Sequence, residues 1–565
     1  MRPALALPLT LGLAGLLAAC GGDDGEPPLP QLGPATGASL RGCASLAGFS
    51  FANTTVTAAT DVAAGTLTVA GTPVPAHCRV TGTMFSRTGV NGNYAIGFEA
   101  RLPAAWNGRF FHQVNGGTDG SVATATGAVN GGGGLTNALK LGFAVVSSDA
   151  GHNGAQNAAG TANFGNDPQA RLDYGYQAVG KVGPMAKALI LAGYGKGPDR
   201  SYIGGCSNGG RHTLVAASRY PDQYDGYLVG NAGFNLPKAA TANIGGYQRY
   251  LTLASTPGDA STGFTAAERT LVSNAVLARC DALDGATDGL VQDTTACQAT
   301  FDLARDVPTC TGARDGSCLT AAQKTTIAGI FSGVTTSNGT KVYASWPWDN
   351  GLQTGGWSFW KFVVPSILDS VAVGQIFQSP PEDAATFVGP VFAATASVDQ
   401  MVARINATAG AFTESAMSFM TPPNPSDLSQ LKGRGAKVMV YHGTADPIFS
   451  ADDTTAWYEA LRRANGGNAG DFARYYRVPG MNHCSGGPAT DQFDMLSPLV
   501  AWVEQGQVPG AVTASARGAG NAGGVNADLP ASWSATRTRP LCPYPQVARY
   551  RGTGSLEDAA SFSCQ

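Results

Sequence analysis

An α/β fold is predicted by three features of the chain. A strand-like run at residues 200–204 enters a glycine-flanked serine, and a helix-like run at 211–219 leaves it. Two more strand-like runs, 436–441 and 473–478, each lead into a loop carrying an ionisable residue, Asp446 and His483. A fourth strand-like run, 108–114, opens into the glycine-rich segment 115–120. Strands that each end in a loop of chemical residues, with helices between them, are the pattern of a sheet with its site at one end.

The serine comes first. Gly204-Gly205-Cys206-Ser207-Asn208-Gly209-Gly210 contains G-x-S-x-G, in which small flanking residues let the chain turn sharply from strand to helix and expose the hydroxyl. The chain has 76 glycines, so the pattern alone carries little weight. Its strand, its helix and a distant partner carry the rest. His483 is followed at once by Cys484, as Ser207 is preceded by Cys206. A bond between these cysteines would bring a nucleophile and a base within a few ångströms.

An acid is expected between Ser207 and His483, because the order serine, acid, histidine marks the α/β-hydrolase fold. Asp446 lies there, in His442-Gly443-Thr444-Ala445-Asp446 at the end of a strand. It would hold the imidazole in the tautomer that accepts the Ser207 proton. Asp452 and Asp453 are nearby rivals, suited to the first turn of a helix over 454–464. Asn208 follows the nucleophile, so its N–H is one expected oxyanion donor.

These segments, with Pro479-Gly480-Met481-Asn482-His483-Cys484 and further stretches at 106–110, 167–173 and 539–545, resemble the tannase and feruloyl esterase family. The similarity is greatest to its mono(2-hydroxyethyl) terephthalate hydrolase branch and runs from about Cys43 to Cys564. The resemblance implies an α/β-hydrolase fold with a large inserted lid domain. It places the core at 39–233 and 432–565 and the lid at 234–431. It also implies the second oxyanion donor at Gly117 and disulfides Cys206 with Cys484, Cys43 with Cys78, Cys280 with Cys297, Cys310 with Cys318, and Cys542 with Cys564. Trp360 is implied as a pocket wall for an aromatic acyl group, while Trp346, Trp348 and Trp357 suit the lid's own core. A structural Ca2+ is implied at Asp281, Asp284, Ala286, Asp288 and Leu290, where three carboxylates and two backbone carbonyls supply hard oxygen ligands.

In the terephthalate branch a lid arginine pairs with the substrate's free carboxylate, yet residues 347–403 contain no arginine. Lys361 is the substitute, although it lacks arginine's planar fork. Feruloyl, galloyl and hydroxyethyl terephthalate esters are therefore all candidate substrates. A non-catalytic calcium-binding lipoprotein on the same fold is the alternative.

Only 13% of the residues are charged and the net charge is −3, which leaves no basic stripe for a nucleic acid. Residues 4–19 form an apolar stretch too short for a comfortable membrane span, ending in Leu17-Ala18-Ala19-Cys20. This resembles a lipoprotein signal peptide, 1–20, with Cys20 lipidated and 21–38 a flexible tether; signal cleavage without lipid is the competing outcome. Either way the chain is exported, to the periplasm, the cell surface or the medium. Setting Cys20 aside, ten of the eleven cysteines remain, an even number that suits an oxidising compartment. The absence of C-x2-C argues against zinc. A monomer acting on a small aromatic ester is expected.

Overall fold

In the computed structural model, which describes Met1 and residues 29–129, 131–154 and 162–565, a nine-stranded sheet runs through the molecule. Its strands are β1 (Thr54–Val62), β2 (His77–Gly89), β3 (Gly92–Pro103), β4 (Arg109–Gln113), β5 (Ala144–Ser148), β6 (Arg200–Cys206), β7 (Gly226–Gly230), β8 (Lys437–Gly443) and β9 (Ala473–Val478). The spatial order is β9-β8-β7-β6-β4-β5-β3-β2-β1. Pairings from β9 to β5 are all parallel, and β1, β2 and β3 extend the sheet as an antiparallel meander. The fold is thus a mixed α/β structure around a central, mostly parallel sheet.

Successive strand residues point to opposite faces, and this divides the interior into two cores. Ile203, Val229, Val438 and Val440 enter one; Tyr202, Leu228, Met439 and Tyr441 enter the other. Helix Asn208–Arg219 crosses from β6 to β7, and helix Ala451–Ala464 from β8 to β9. Helix Leu496–Gln505 covers the second core through Leu499, Trp502 and Val503.

More than two hundred residues separate β7 from β8. Within that excursion lie helices Ala266–Cys280 and Ala321–Phe331. Each opens with a capping box, Thr265 with Glu268 and Thr320 with Gln323, which satisfies orphan backbone donors from both sides. A third helix, Gly355–Phe377, is long and apolar enough to cross a membrane. Yet 67% of its most apolar stretch is buried in the protein, so most of it serves the interior, while Phe359, Val363 and Ile367 stay exposed.

Five disulfides join the five cysteine pairs that the resemblance implied. Cys206–Cys484 spans 278 residues of sequence; closing so long a loop stabilises the fold by about 5 kcal/mol in the chain-entropy account. One expectation needs correction. The tether expected over 21–38 is docked along its last part. Gln31 donates to the Val503 carbonyl, Ala35 and Thr36 donate to Glu504 and Asp199, and Ala38–Ser39 pairs with Ala105–Trp106. Those backbone groups meet fixed partners on the core, so the segment is held despite its loop-like composition. Cys20 and residues 2–19 of the expected signal peptide lie outside the described residues.

Candidate active site

The site assembles at the carboxyl ends of the central strands, where loops from neighbouring strands converge. Ser207 follows β6 with φ 66° and ψ −127°, a conformation that costs a non-glycine residue energy and persists only where its surroundings enforce it. The flanking glycines are required by space. A Cβ on Gly205 would lie 2.2 Å from the Val114 carbonyl oxygen, and one on Gly209 would lie 2.5 Å from it. The serine N–H donates to the Gly230 carbonyl at 3.0 Å, fixing the turn against β7.

His483 lies beyond β9 and presents Nε2 to Ser207 Oγ at 2.8 Å. Its Nδ1 meets Asp446 Oδ2 at 2.8 Å. Asp446 is itself held firmly: Oδ1 accepts from the N–H groups of Ile448 and Phe449, and Oδ2 accepts from Asn231 Nδ2 at 2.7 Å. Burial alone would raise this carboxyl, but His483 and His442 outweigh it and hold it well below the usual carboxylate range. The imidazole edge is packed between Trp360, 4.8 Å away, and Phe449, 5.3 Å away, so its orientation is restricted from both sides. Such an arrangement can move a proton from the serine to an imidazole that the carboxylate stabilises.

Asn208 begins its helix, so its N–H has no carbonyl one turn back. Its side chain donates to Asp119 at 2.8 Å and accepts from Arg211 Nε at 2.6 Å. Through Asp119 the glycine-rich loop is tied to the helix that follows Ser207. Gly117 has φ 64° and no atom within 4 Å of where a Cβ would stand, and Tyr174 donates to its carbonyl at 3.2 Å. Gly117, Asn208 and Ser207 line one pocket with Trp360, Leu236 and Phe449.

Asp452 and Asp453 occupy the first turn of helix Ala451–Ala464, three residues earlier than the helix was expected to start. Asp452 accepts from Ser345 and Asp453 from Asn235, so neither faces His483. Lys361 departs from its expected place beside the substrate. It is absent from the pocket lining, with Nζ 3.3 Å from the centre of the Trp346 ring and 3.4 Å from Asn243 Oδ1. The aromatic face and the amide draw the ammonium inward.

Two groups at the acid escaped the sequence reading. Asn231, with φ 37°, binds Asp446 from the end of β7. His442 Nε2 lies 3.4 Å from the same Asp446 oxygen and 2.9 Å from the Phe449 carbonyl, while Thr454 meets its Nδ1 at 2.9 Å. Their only sequence signal is position, one just after β7 and the other next to the last residue of β8.

The acidic loop has a different character. Asp281 accepts from the N–H groups of Asp288 and Gly289, and Asp288 is ion-paired with Arg539. Asp284 Oδ2 is buried without a hydrogen-bond partner. Burial, with the nearby charges of Asp288 and Asp281 behind it, pushes the Asp284 carboxyl up to about 7. Among the described residues no three His, Cys, Asp or Glu side chains converge as a metal centre would need. A cation here therefore depends on backbone carbonyls, and the orphaned Asp284 oxygen fits one.

The model of the family described as tannase and feruloyl esterase matches residues 78–565. The chain belongs to the tannase and feruloyl esterase family. It is 40% identical over 534 residues to mono(2-hydroxyethyl) terephthalate hydrolase of Piscinibacter sakaiensis, covering 88% of this chain and 86% of that protein. It is 28% identical to probable feruloyl esterase B of Emericella nidulans, over 83% of each. Among solved structures, feruloyl esterase B from Aspergillus oryzae superposes with a TM-score of 0.73 at 27% identity, covering 93% of this chain and 99% of that one. This family member is a carboxylic ester hydrolase. The reading as a non-catalytic lipoprotein finds no support in these relatives.

Proposed function

We propose that this chain is a serine esterase of α/β-hydrolase type that cleaves neutral aromatic esters through an acyl-enzyme. The observation that carries the proposal is the unbroken hydrogen-bonded line from Ser207 through His483 to Asp446, opening into a pocket that Gly117 and Asn208 also line. Ser207 Oγ attacks the ester carbonyl while His483 takes its proton. The oxyanion accepts from the N–H groups of Gly117 and Asn208, and His483 then protonates the leaving alcohol. Water activated by the same imidazole clears the acyl group. Residues 39–233 and 432–565 form the hydrolase core and 234–431 the lid.

Charge sets the substrate. Lys361 is turned towards Trp346 and residues 347–403 hold no arginine, so among the described residues no lysine or arginine lines the pocket for a free carboxylate. Burying that charge unpaired costs several kcal/mol. The expected result is a higher kcat/KM for bis(2-hydroxyethyl) terephthalate or methyl ferulate than for mono(2-hydroxyethyl) terephthalate. Steady-state kinetics on the three esters checks it, and a preference for the monoacid that Lys361→Ala removes contradicts it.

Asp281, Asp284, Asp288 and the carbonyls of Ala286 and Leu290 would hold a calcium ion, which would give Asp284 Oδ2 its missing partner and brace the Cys280–Cys297 loop. A ligand bound only by the folded state stabilises it by mass action. Chelation is expected to lower the melting temperature and to leave ester hydrolysis intact below it. Calcium-free protein by elemental analysis, after purification without chelator, contradicts the site. The five disulfides support export to an oxidising compartment, with Cys20 as the lipid anchor and the monomer as the working unit.

A further inference from the structure

Beyond Ser207, Asn208, Thr118 and Tyr174 on the core side, the pocket is lined by apolar residues and, on its lid side, by one carboxyl. Helix Gly355–Phe377 contributes Trp360, Leu368, Asp369, Ala372 and Phe377 to the lining. Its turns widen over Phe359–Val363, Pro365–Asp369 and Ala372–Phe377, which re-phases its side chains relative to a regular helix. Asp369 is the only carboxyl group among the lining residues, and no lysine or arginine is among them. It is 3% exposed, and its Oδ2 has no hydrogen-bond partner.

A buried carboxyl oxygen without a donor is costly unless something completes it. Asn243 reaches the Asp369 side chain, donates to the Ile448 carbonyl at 3.2 Å and accepts from Lys361 Nζ at 3.4 Å. It therefore stands between the acid and the ammonium. That leaves Oδ2 of this pocket-lining residue open for a group that enters with the substrate.

We infer that Asp369 recognises the acyl half of the ester, its free oxygen accepting a hydrogen bond from a hydroxyl carried on the aromatic ring. This deepens the esterase reading and rests on it. Trp360 stacks on the ring while Asp369 fixes its far edge, so a hydroxyaryl acid is seated with its ester carbonyl at Ser207. The same carboxyl repels an acyl group bearing a second carboxylate. Burial pushes Asp369 up to about 7, against the pull of Lys361 and Asn243, which keeps a hydrogen-bonding form present near neutral pH in either protonation state.

The test is a substrate ratio measured within each preparation. Methyl benzoate, methyl 3-hydroxybenzoate, methyl 4-hydroxybenzoate and monomethyl terephthalate are compared for the native chain, Asp369→Leu and the near-isosteric Asp369→Asn. A ratio cancels any loss of folded protein. The native chain is expected to favour at least one hydroxybenzoate over benzoate by about tenfold or more. Asp369→Leu should bring that ratio close to one. Asp369→Asn should retain part of it, since the amide oxygen still accepts, and should narrow the gap between benzoate and the terephthalate monoester. If Asp369 only balances the charge of Lys361, both variants weaken hydrolysis of all four esters alike and the ratios stay at native values, which overturns the inference. A native chain that reacts at Ser207 with a fluorophosphonate and cleaves methyl benzoate, yet shows no hydroxyl preference, overturns this inference alone. One that cleaves none of the esters and resists the fluorophosphonate overturns the esterase reading as well.

Discussion

Ser207→Ala is expected to abolish ester hydrolysis, lowering kcat by about a millionfold as loss of the nucleophile does in a serine hydrolase of known kinetics. The reason is local. Ser207 Oγ is the group that meets His483 Nε2, at 2.8 Å, and a methyl group leaves the imidazole nothing to deprotonate. The fold should survive, because the sharp turn is maintained by the packing of Gly205 and Gly209 against Val114 and by the Ser207 N–H bond to Gly230, none of which uses the hydroxyl. The Cys206–Cys484 bond is likewise untouched. Equal melting temperatures with lost turnover is the expected pair of results, and turnover retained above background excludes Ser207 as nucleophile.

Asp446→Asn is expected to lower kcat by about 10^4-fold with little change in KM, following the serine protease precedent. Asp446 accepts from three directions, His483, Asn231 and the Ile448 and Phe449 backbone. An amide in its place has only one acceptor oxygen to share among them. Turned with its NH2 towards His483, it favours the tautomer protonated on Nε2, which cannot accept from Ser207. The control is Asp452→Asn. That residue sits in the first turn of a helix and accepts from Ser345, so the change should leave kcat within a fewfold of native. Kinetics in which Asp452→Asn is the damaging change would reassign the acid.

The strands around the site were legible because each is a short run of buried, often β-branched or aromatic residues ending in glycine, proline or asparagine. β9 formed over the same residues as expected, and the strands entering Ser207 and Asp446 needed only small extensions at their ends. The nine-stranded order was not legible, since the pairing of β4 with β6 and of β3 with β5 joins segments far apart in sequence. Disulfide pairing came from resemblance, because ten cysteines allow many connectivities. Lys361 was misplaced for a physical reason: the resemblance implied a lid cation near the substrate, and the sequence does not show that the Trp346 ring and Asn243 draw it away. Asp369 gave no signal in the sequence because its meaning depends on the widened turns of a helix that brings it into the same pocket lining as Ser207. Asn231 and His442 were hidden in the same way, by the convergence of loops rather than by any motif. Gln31 to Ala38 read as linker because glycine and proline composition says nothing about whether polar groups will find partners.

The central claim, a covalent acyl-enzyme at Ser207, is tested most directly by mass spectrometry of the intact protein after reaction with a fluorophosphonate, followed by peptide mapping. The account predicts a single adduct on the peptide containing Ser207, loss of esterase activity in proportion to labelling, no adduct in Ser207→Ala, and greatly slowed labelling in Asp446→Asn. An adduct on a different residue, or esterase activity that persists in fully labelled protein, would contradict it.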